Sequence, residues 1–331
     1  MRKKNHKSAI ICTLVLTVIL GVISGCSKGK FVTIDTHGIG AYSNDGIKWE
    51  PLTLPSNNGY WYDVIYGNGK FIAVHGNHEG SDKVAYSVDA IKWETATLPS
   101  VAFWMSICYG NRKFVAVAYK SNKVAYSEDG IKWEAATIPD SEPWSAITYG
   151  NDKFVAIAND EKLGNNGEPA YNMKIAYSVD GVKWKTDDIL SLEAYWMSIC
   201  YGNEKFVAVA SSSDDSENTN KAAYSTDGIK WKETTLPMNS LWRSVCYGNG
   251  KFVTVSNSNN KAAYSSDGIK WFETTLPDKV DWASVCYGNG KFIAITDNNN
   301  KAAYSSDGIK WFETTLPNKT TWNSSICYGG D

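Results

Sequence analysis

The chain has 331 residues, 43% of them hydrophobic and 21% charged, with 33 Lys+Arg against 35 Asp+Glu. That length and apolar content can bury a sizeable core. The near-balanced charge, with no long basic run in the body of the chain, excludes nucleic acid as the expected partner.

The first element is a leader. Arg2, Lys3, Lys4 and Lys7 precede an apolar run from Ala9 to Ile23, which is shorter than the ~20 residues of a membrane-spanning helix and ends at Ser24 and Gly25. This order predicts an export signal over residues 1–25. The segment Ile23-Ser24-Gly25-Cys26 resembles the lipobox of bacterial lipoproteins. The resemblance implies that Cys26 is lipidated and becomes the first residue of an exported protein held at the cell membrane or surface. Loss of the leader's four basic residues leaves 29 Lys+Arg against 35 Asp+Glu, a formal charge of −6. Residues 26–28 then form a short spacer, which should hold the following domain close to the bilayer.

From residue 29 onward the sequence repeats. Tyr-Gly pairs recur at Tyr66, Tyr109, Tyr149, Tyr201, Tyr247, Tyr287 and Tyr328. One tryptophan series runs from Trp49 through Trp93, Trp133, Trp184, Trp231 and Trp271 to Trp311. A second runs from Trp61 through Trp104, Trp144, Trp196, Trp242 and Trp282 to Trp322. Each unit of about 40 residues parses into four short strands, A to D, the signature of a propeller blade. Strand A is WxSVCY, closed by an Asn-Gly turn. Strand B is KFVAV, strand C is KAAYS, and strand D is IKWxETTLP, with its proline expected to end it. The fold class is therefore all-β, a seven-bladed β-propeller over residues 29–331. The chain opens on strand B and closes on a strand A from Trp322 to Tyr328, so the closing blade is shared between the termini in a 1+3 arrangement, which hides the open edges.

Cysteine usage follows the repeat. Cys108, Cys200, Cys246, Cys286 and Cys327 occupy the same position of the repeat in five of the seven units. Packed sheets lie ~10 Å apart and a disulfide needs Cα atoms within ~7 Å, so these are expected as buried, unpaired small residues.

The C–D turn reads Ser-x-Asp-Gly-x-x-Trp six times, first from Ser43 to Trp49 and last from Ser305 to Trp311, with Ala90 replacing glycine in the seventh copy. Here Asp is expected to accept turn N–H groups, Gly to take positive φ and Trp to pack between sheets. The pattern resembles the Asp-box (BNR) repeat of sialidase-like propellers. The resemblance implies boxes that are structural and catalysis by an arginine triad with a Tyr–Glu pair and an acid Asp. Beyond the leader the chain has two arginines, Arg112 in an A–B turn and Arg243 at the start of a strand A. No triad can be assembled, sialidase activity is not expected, and no catalytic residue is carried over.

Repeated residues serve blade packing, so a ligand should be met by residues that differ between blades. A–B and C–D turns share one face and D–A and B–C loops the other, and the variability gathers on the loop face. Candidate ligand-binding residues there are Tyr60, Trp61, Tyr62, Phe103, Trp104, Tyr195, Trp196 and Arg243. The long B–C insertions, Asp160 to Met173 and Ser211 to Asn220, and the His75 to Glu79 segment border the same sector. Aromatics beside polar groups suit a carbohydrate, stacking on sugar C–H faces, although the same aromatics would also serve as caps on the core. His75, His78, Glu79 and Asp82 read as solvated loop rather than metal ligands, and so does the acidic Asp214-Asp215-Glu217 run. No metal or other cofactor is expected. The reading is a monomeric, lipid-anchored module that binds carbohydrate or another envelope component. A glycan-active enzyme would need two convergent carboxylates, for which Glu168 and Glu193 are the sequence candidates, and an envelope assembly scaffold is the third reading.

Overall fold

The computed structural model describes residues 29–55, 60–77, 79–163, 169–188, 194–211, 219–257, 259–317 and 325–330. Among them are 27 strands and no helix. The strands form seven four-stranded blades, with order A-B-C-D in each. Five blades stand as separate sheets, and blades 4 and 5 join as one seven-stranded sheet because a single strand, Lys232–Gly248, serves both. Its first part pairs with strand C of blade 4, Lys221↔Thr235. Its second part pairs with strand B of blade 5, Tyr247↔Phe252.

Blade 7 combines Ile326–Gly329 with Lys30–Ile34, Ile39–Ser43 and Glu50–Thr53. The register Phe31↔Tyr328 joins the two ends of the chain. The described part of the closing strand is Ile326–Gly329, and residues 318–324, Trp322 among them, lie outside the described residues.

The Tyr-Gly repeat supplies the physical lock of the ring. A Cβ built on Gly67 would come within 2.2 Å of the Tyr109 ring of the next blade, and one on Gly110 within 1.9 Å of Tyr149. The series continues blade by blade to Gly288 against Tyr328 and Gly329 against Tyr66, which closes it. Glycine is required at each step because the neighbour's ring occupies the space of a side chain. Between the sheets lie Trp61, Trp104, Trp144, Trp196, Trp242 and Trp282, all 0% exposed. Each removes on the order of 200 Å² from water, about 5 kcal/mol of gross apolar burial.

A second series of interblade bonds lies on the inner strands, three residues before the Tyr, and is broken in blade 3 by Ala146. Ser106 Oγ accepts the N–H of Ile147, Ser198 Oγ that of Val245 and Ser244 Oγ that of Val285, at 3.2 to 3.3 Å. In blade 1 the position is Asp63. Its carboxylate accepts the Ser106 hydroxyl at 3.0 Å and the Ile107 N–H at 2.9 Å, and it bonds the Ser325 side chain of blade 7 on the other side. Burial pushes the Asp63 carboxyl up, opposed by these hydrogen bonds.

The C–D turns behave as their sequence suggests. In blade 7, Asp45 Oδ1 accepts the N–H groups of Ile47 and Lys48 at 2.8 Å, and Ser43 Oγ accepts that of Gly46. In blades 2 and 3, the N–H groups of Lys132 and Lys183 hold Asp129 and Asp180 below the usual carboxylate range. The turn glycines have φ of 72° to 75°, and Ala90 takes 64° in their place. Asn68 of blade 1 donates to Glu128 O in the C–D turn of blade 2. The same link recurs in five further blades, through Asn111, Asn151, Asn203, Asn249 and Asn289. Both turn types therefore share one face.

Three local expectations change. Proline does not end strand D in blades 1, 2, 4 and 5: Pro99, Pro139, Pro237 and Pro277 lie inside Glu94–Ala102, Glu134–Glu142, Lys232–Gly248 and Phe272–Val280. Strand D is the outer edge, where a missing N–H costs no ladder bond. The insertion expected as a loop after Asp160 is a hairpin extension of Lys153–Leu163 and Pro169–Ser178, paired out to Leu163↔Pro169. Finally, His75 is not in a solvated loop. It ends strand Lys70–Gly76, is 2% exposed, and packs edge-on against Trp61 at 5.1 Å.

Candidate functional site

The loop face diverges most between blades 1 and 2. Strand A of blade 1 (Tyr60–Gly67) lifts Tyr60 and Tyr62 to its rim, because a bulge between Trp61 and Asp63 turns Tyr62 out of the alternation. Tyr60 and Tyr62 have ring centroids 6.4 Å apart, Tyr62 and Phe103 4.9 Å, and Phe103 and Tyr119 5.4 Å. Four rings thus form a row crossing from one blade to the next. Gly76 makes the row possible, since a Cβ there would meet the Phe103 ring at 2.6 Å. Tyr119 N–H donates to Phe103 O at 2.8 Å and fixes the far end. Tyr60 is 46% exposed, while Tyr62, Phe103 and Tyr119 are half-buried. Burial raises the Tyr62 phenol above its ordinary value, with Tyr60 adding to the effect.

Beside the row opens a cleft of about 480 Å³, lined by Glu79, Gly80, Val101, Ala102, Phe103, Tyr119, Lys120, Ser121 and Lys123. The Lys120 ammonium lies 5.6 Å over the Tyr119 ring, and Lys123 Nζ donates to Val101 O at 2.8 Å. The cleft therefore offers ring faces, a carboxylate and ammonium groups within one volume.

Some expected site residues lie elsewhere. Trp61, Trp104 and Trp196 are 0% exposed, so they cannot stack on a ligand. They pack between blades and support the face from beneath, because the indole faces inward from strand A. Tyr195 is half-buried on blade 4, with blade 3 between it and the aromatic row of blades 1 and 2. Arg243 is on blade 5, its side chain 29% exposed and its Nη2 3.6 Å from Asp297 Oδ2. Cys26, His78, Glu168, Glu193 and the Asp214 to Glu217 run lie outside the described residues. Among the described residues no group of three His, Cys, Asp or Glu side chains could hold a metal. All five described cysteines are free thiols, and burial pushes those of Cys108, Cys286 and Cys327 up.

The structure also assembles a carboxylate pair that the sequence did not single out. Asp297 directly follows strand B of blade 6 (Lys291–Thr296), is 6% exposed, and its backbone N–H donates to Asp281 O at 2.7 Å. Burial pushes its carboxyl up to about 6; Arg243 opposes the rise and Asp281 adds to it. Asp297 Oδ1 is buried with no hydrogen-bond partner. The signal was a departure from the repeat, acid where blades 2, 3 and 4 carry Tyr119, Asn159 and Ser211. Its pairing with Arg243 of blade 5 is visible only in the folded ring.

No protein-family model matches the sequence, and no curated protein matches it. Solved structures do. A streptogramin B lyase is similar over 92% of this chain and 93% of its own, at 14% identity and a TM-score of 0.66. YCF48 bound to a peptide covers 80% of this chain and 84% of its own, at 17% identity and 0.57. Apo AztD from Citrobacter koseri covers 93% and 88%, at 10% identity and 0.55. At these identities the likeness is one of fold.

Proposed function

We propose that this protein is an exported, lipid-anchored binding module whose loop face takes carbohydrate or another envelope component over blades 1 and 2. The observation that carries this reading is the row Tyr60, Tyr62, Phe103 and Tyr119 at the rim of a cleft holding Glu79 and Lys120. Ring faces accept sugar C–H surfaces, and the flanking charges and hydroxyls meet sugar hydroxyls. Propellers of this shape include a lyase and a protein seen bound to a peptide, so the site and not the fold must decide. The test is a screen of the protein against glycans and cell-wall fragments, with hydrolysis followed in the same samples. Each stacked ring contributes ~1 kcal/mol, so Tyr60→Ala with Tyr119→Ala should weaken binding about tenfold or more at an unchanged melting temperature. Wild-type affinity in the pair, for a ligand found in the screen, sinks the assignment.

A second reading, a glycan-active enzyme, draws on Asp297. A buried carboxyl held protonated to about pH 6 beside Asp281 and Arg243 has the character of a general acid. Turnover lost in Asp297→Asn but kept in Tyr60→Ala would favour this arc of the ring over the aromatic row.

A further inference from the structure

The residue after the outer tryptophan is charged in five blades: Glu50, Glu94, Glu134, Lys185 and Lys232. In blades 5 and 6 it is Phe272 and Phe312, which stay 43% and 44% exposed. Each ring stacks on a strand C tyrosine, Phe272 on Tyr264 at 5.6 Å and Phe312 on Tyr304 at 5.5 Å. Lys270 and Lys310 each hold an ammonium 5.4 Å from the respective ring centre. Ile269 and Ile309 project from the adjoining C–D turns, 38% and 37% exposed. The two units are neighbours, tied by the Thr274 hydroxyl donating to Ile309 O. Blade packing gives no reason to leave these aromatics in water, because charged residues serve the same position in the other blades.

Phe and Ile fringed by lysine suit the lipid headgroup layer, where rings reach the apolar boundary and ammonium groups meet lipid phosphate. The chain itself approaches the fold on this side. Lys30 opens strand B of blade 7, and its ammonium donates to Asp89 O in the C–D turn of blade 1. Thr314 of blade 6 donates to Ile47 O in the C–D turn of blade 7, so the exposed corner adjoins the blade through which the chain enters. Cys26 is four residues before Lys30, a reach of at most ~14 Å.

We propose that the corner formed by Ile269, Phe272, Ile309 and Phe312 rests in the anionic headgroup layer of the membrane that holds the Cys26 lipid. The docking rests on the lipid-anchor reading given above. A lipid alone leaves the propeller free to pivot; the second contact fixes its tilt and turns the loop face away from the bilayer, toward its ligand.

The full-length protein, purified from membranes and reconstituted into vesicles of phosphatidylcholine with phosphatidylglycerol, provides the test. A nitroxide is placed at Ser306→Cys on the turn face or at Lys120→Cys on the loop face. The label at 306 should collide with membrane-dissolved oxygen several-fold more than with a water-soluble nickel chelate, and the label at 120 should show the reverse. Phe272→Glu with Phe312→Glu, which restores the residue type of other blades, should return the 306 label to water while the mass of the protein still shows an acylated Cys26. A 306 label in water on an acylated wild-type protein overturns the docking alone. A protein that carries no acyl chain and leaves the vesicles overturns the anchor and the docking together.

Discussion

The turn face and the loop face of this propeller are made by the same seven repeats, yet they keep opposite records of them. On the turn face six asparagines donate to six neighbouring carbonyls, from Asn68 to Glu128 O around to Asn289 and Asn44 O. On the loop face the end of strand B alone offers Gly76, Tyr119, Asn159, Ser211, Asn257, Asp297 and Thr36 in the seven blades. The turn face is under one constraint applied six times, the joining of a blade to the next. The loop face has no such shared constraint, so what varies there reports something outside the ring.

The most severe way to break the comparison is to open the ring. Removing residues 325–331 takes away the strand that pairs Val32↔Cys327 and the Gly329 contact with Tyr66. The inner edge of blade 7 is then unpaired, and thermal unfolding followed by circular dichroism should lose its single cooperative transition. A truncated protein melting within a few degrees of the intact one would show that the ring does not depend on this strand.

A smaller break lies at Asp63, where one carboxylate bridges blades 7 and 2. Asp63→Ala leaves buried donors without an acceptor and should cost about 2–3 kcal/mol in urea unfolding. Asp63→Ser, the residue at five of the six equivalent positions, should recover most of that loss. Equal losses in both variants would mean that the carboxylate, and not an acceptor as such, is what the ring requires.

The two faces should also answer pH with opposite signs. Asp129 and Asp180 are held below their ordinary value by turn N–H groups, so their stabilisation is present above the unfolded carboxylate pKa and fades as the pH falls through the folded one. Asp297 is raised from 3.8 to about 6, so the native state binds the extra proton and stability falls as the pH rises between these values. Asp297→Asn should remove that slope and raise stability at neutral pH by on the order of 2 kcal/mol, whereas Asp129→Asn should destabilise. Urea midpoints from pH 3 to 8 decide it; an unchanged slope between pH 4 and 6 in Asp297→Asn refutes the buried carboxyl.

The mildest change sharpens the repeat. Ala90 holds φ of 64° where the other blades carry glycine. Ala90→Gly relieves that conformation but frees the unfolded chain, for a net gain of about 0.5 kcal/mol, seen as a small rise in melting temperature. A fall would mean that the methyl group packs usefully in the interblade cluster with Val32 and Trp61.

Much of this molecule was written in its sequence because a repeated unit can satisfy only what its neighbour repeats. The tryptophan series, the Tyr-Gly pairs and the Asp turns dictate four strands per blade, seven blades and the shared closing blade. Each is a contact between positions fixed within one unit and the next, so spacing alone exposes it. Tertiary structure decided what depends on a particular pair of blades. It buried Trp61, Trp104 and Trp196 and left the rim of the loop face to Tyr60, Tyr62, Phe103 and Tyr119. It carried strand D past Pro99 and Pro139, because an outer edge asks no N–H of them. It set Arg243 of blade 5 against Asp297 of blade 6, an encounter no period announces, since neither residue is part of the repeat and only the closed ring sets their distance.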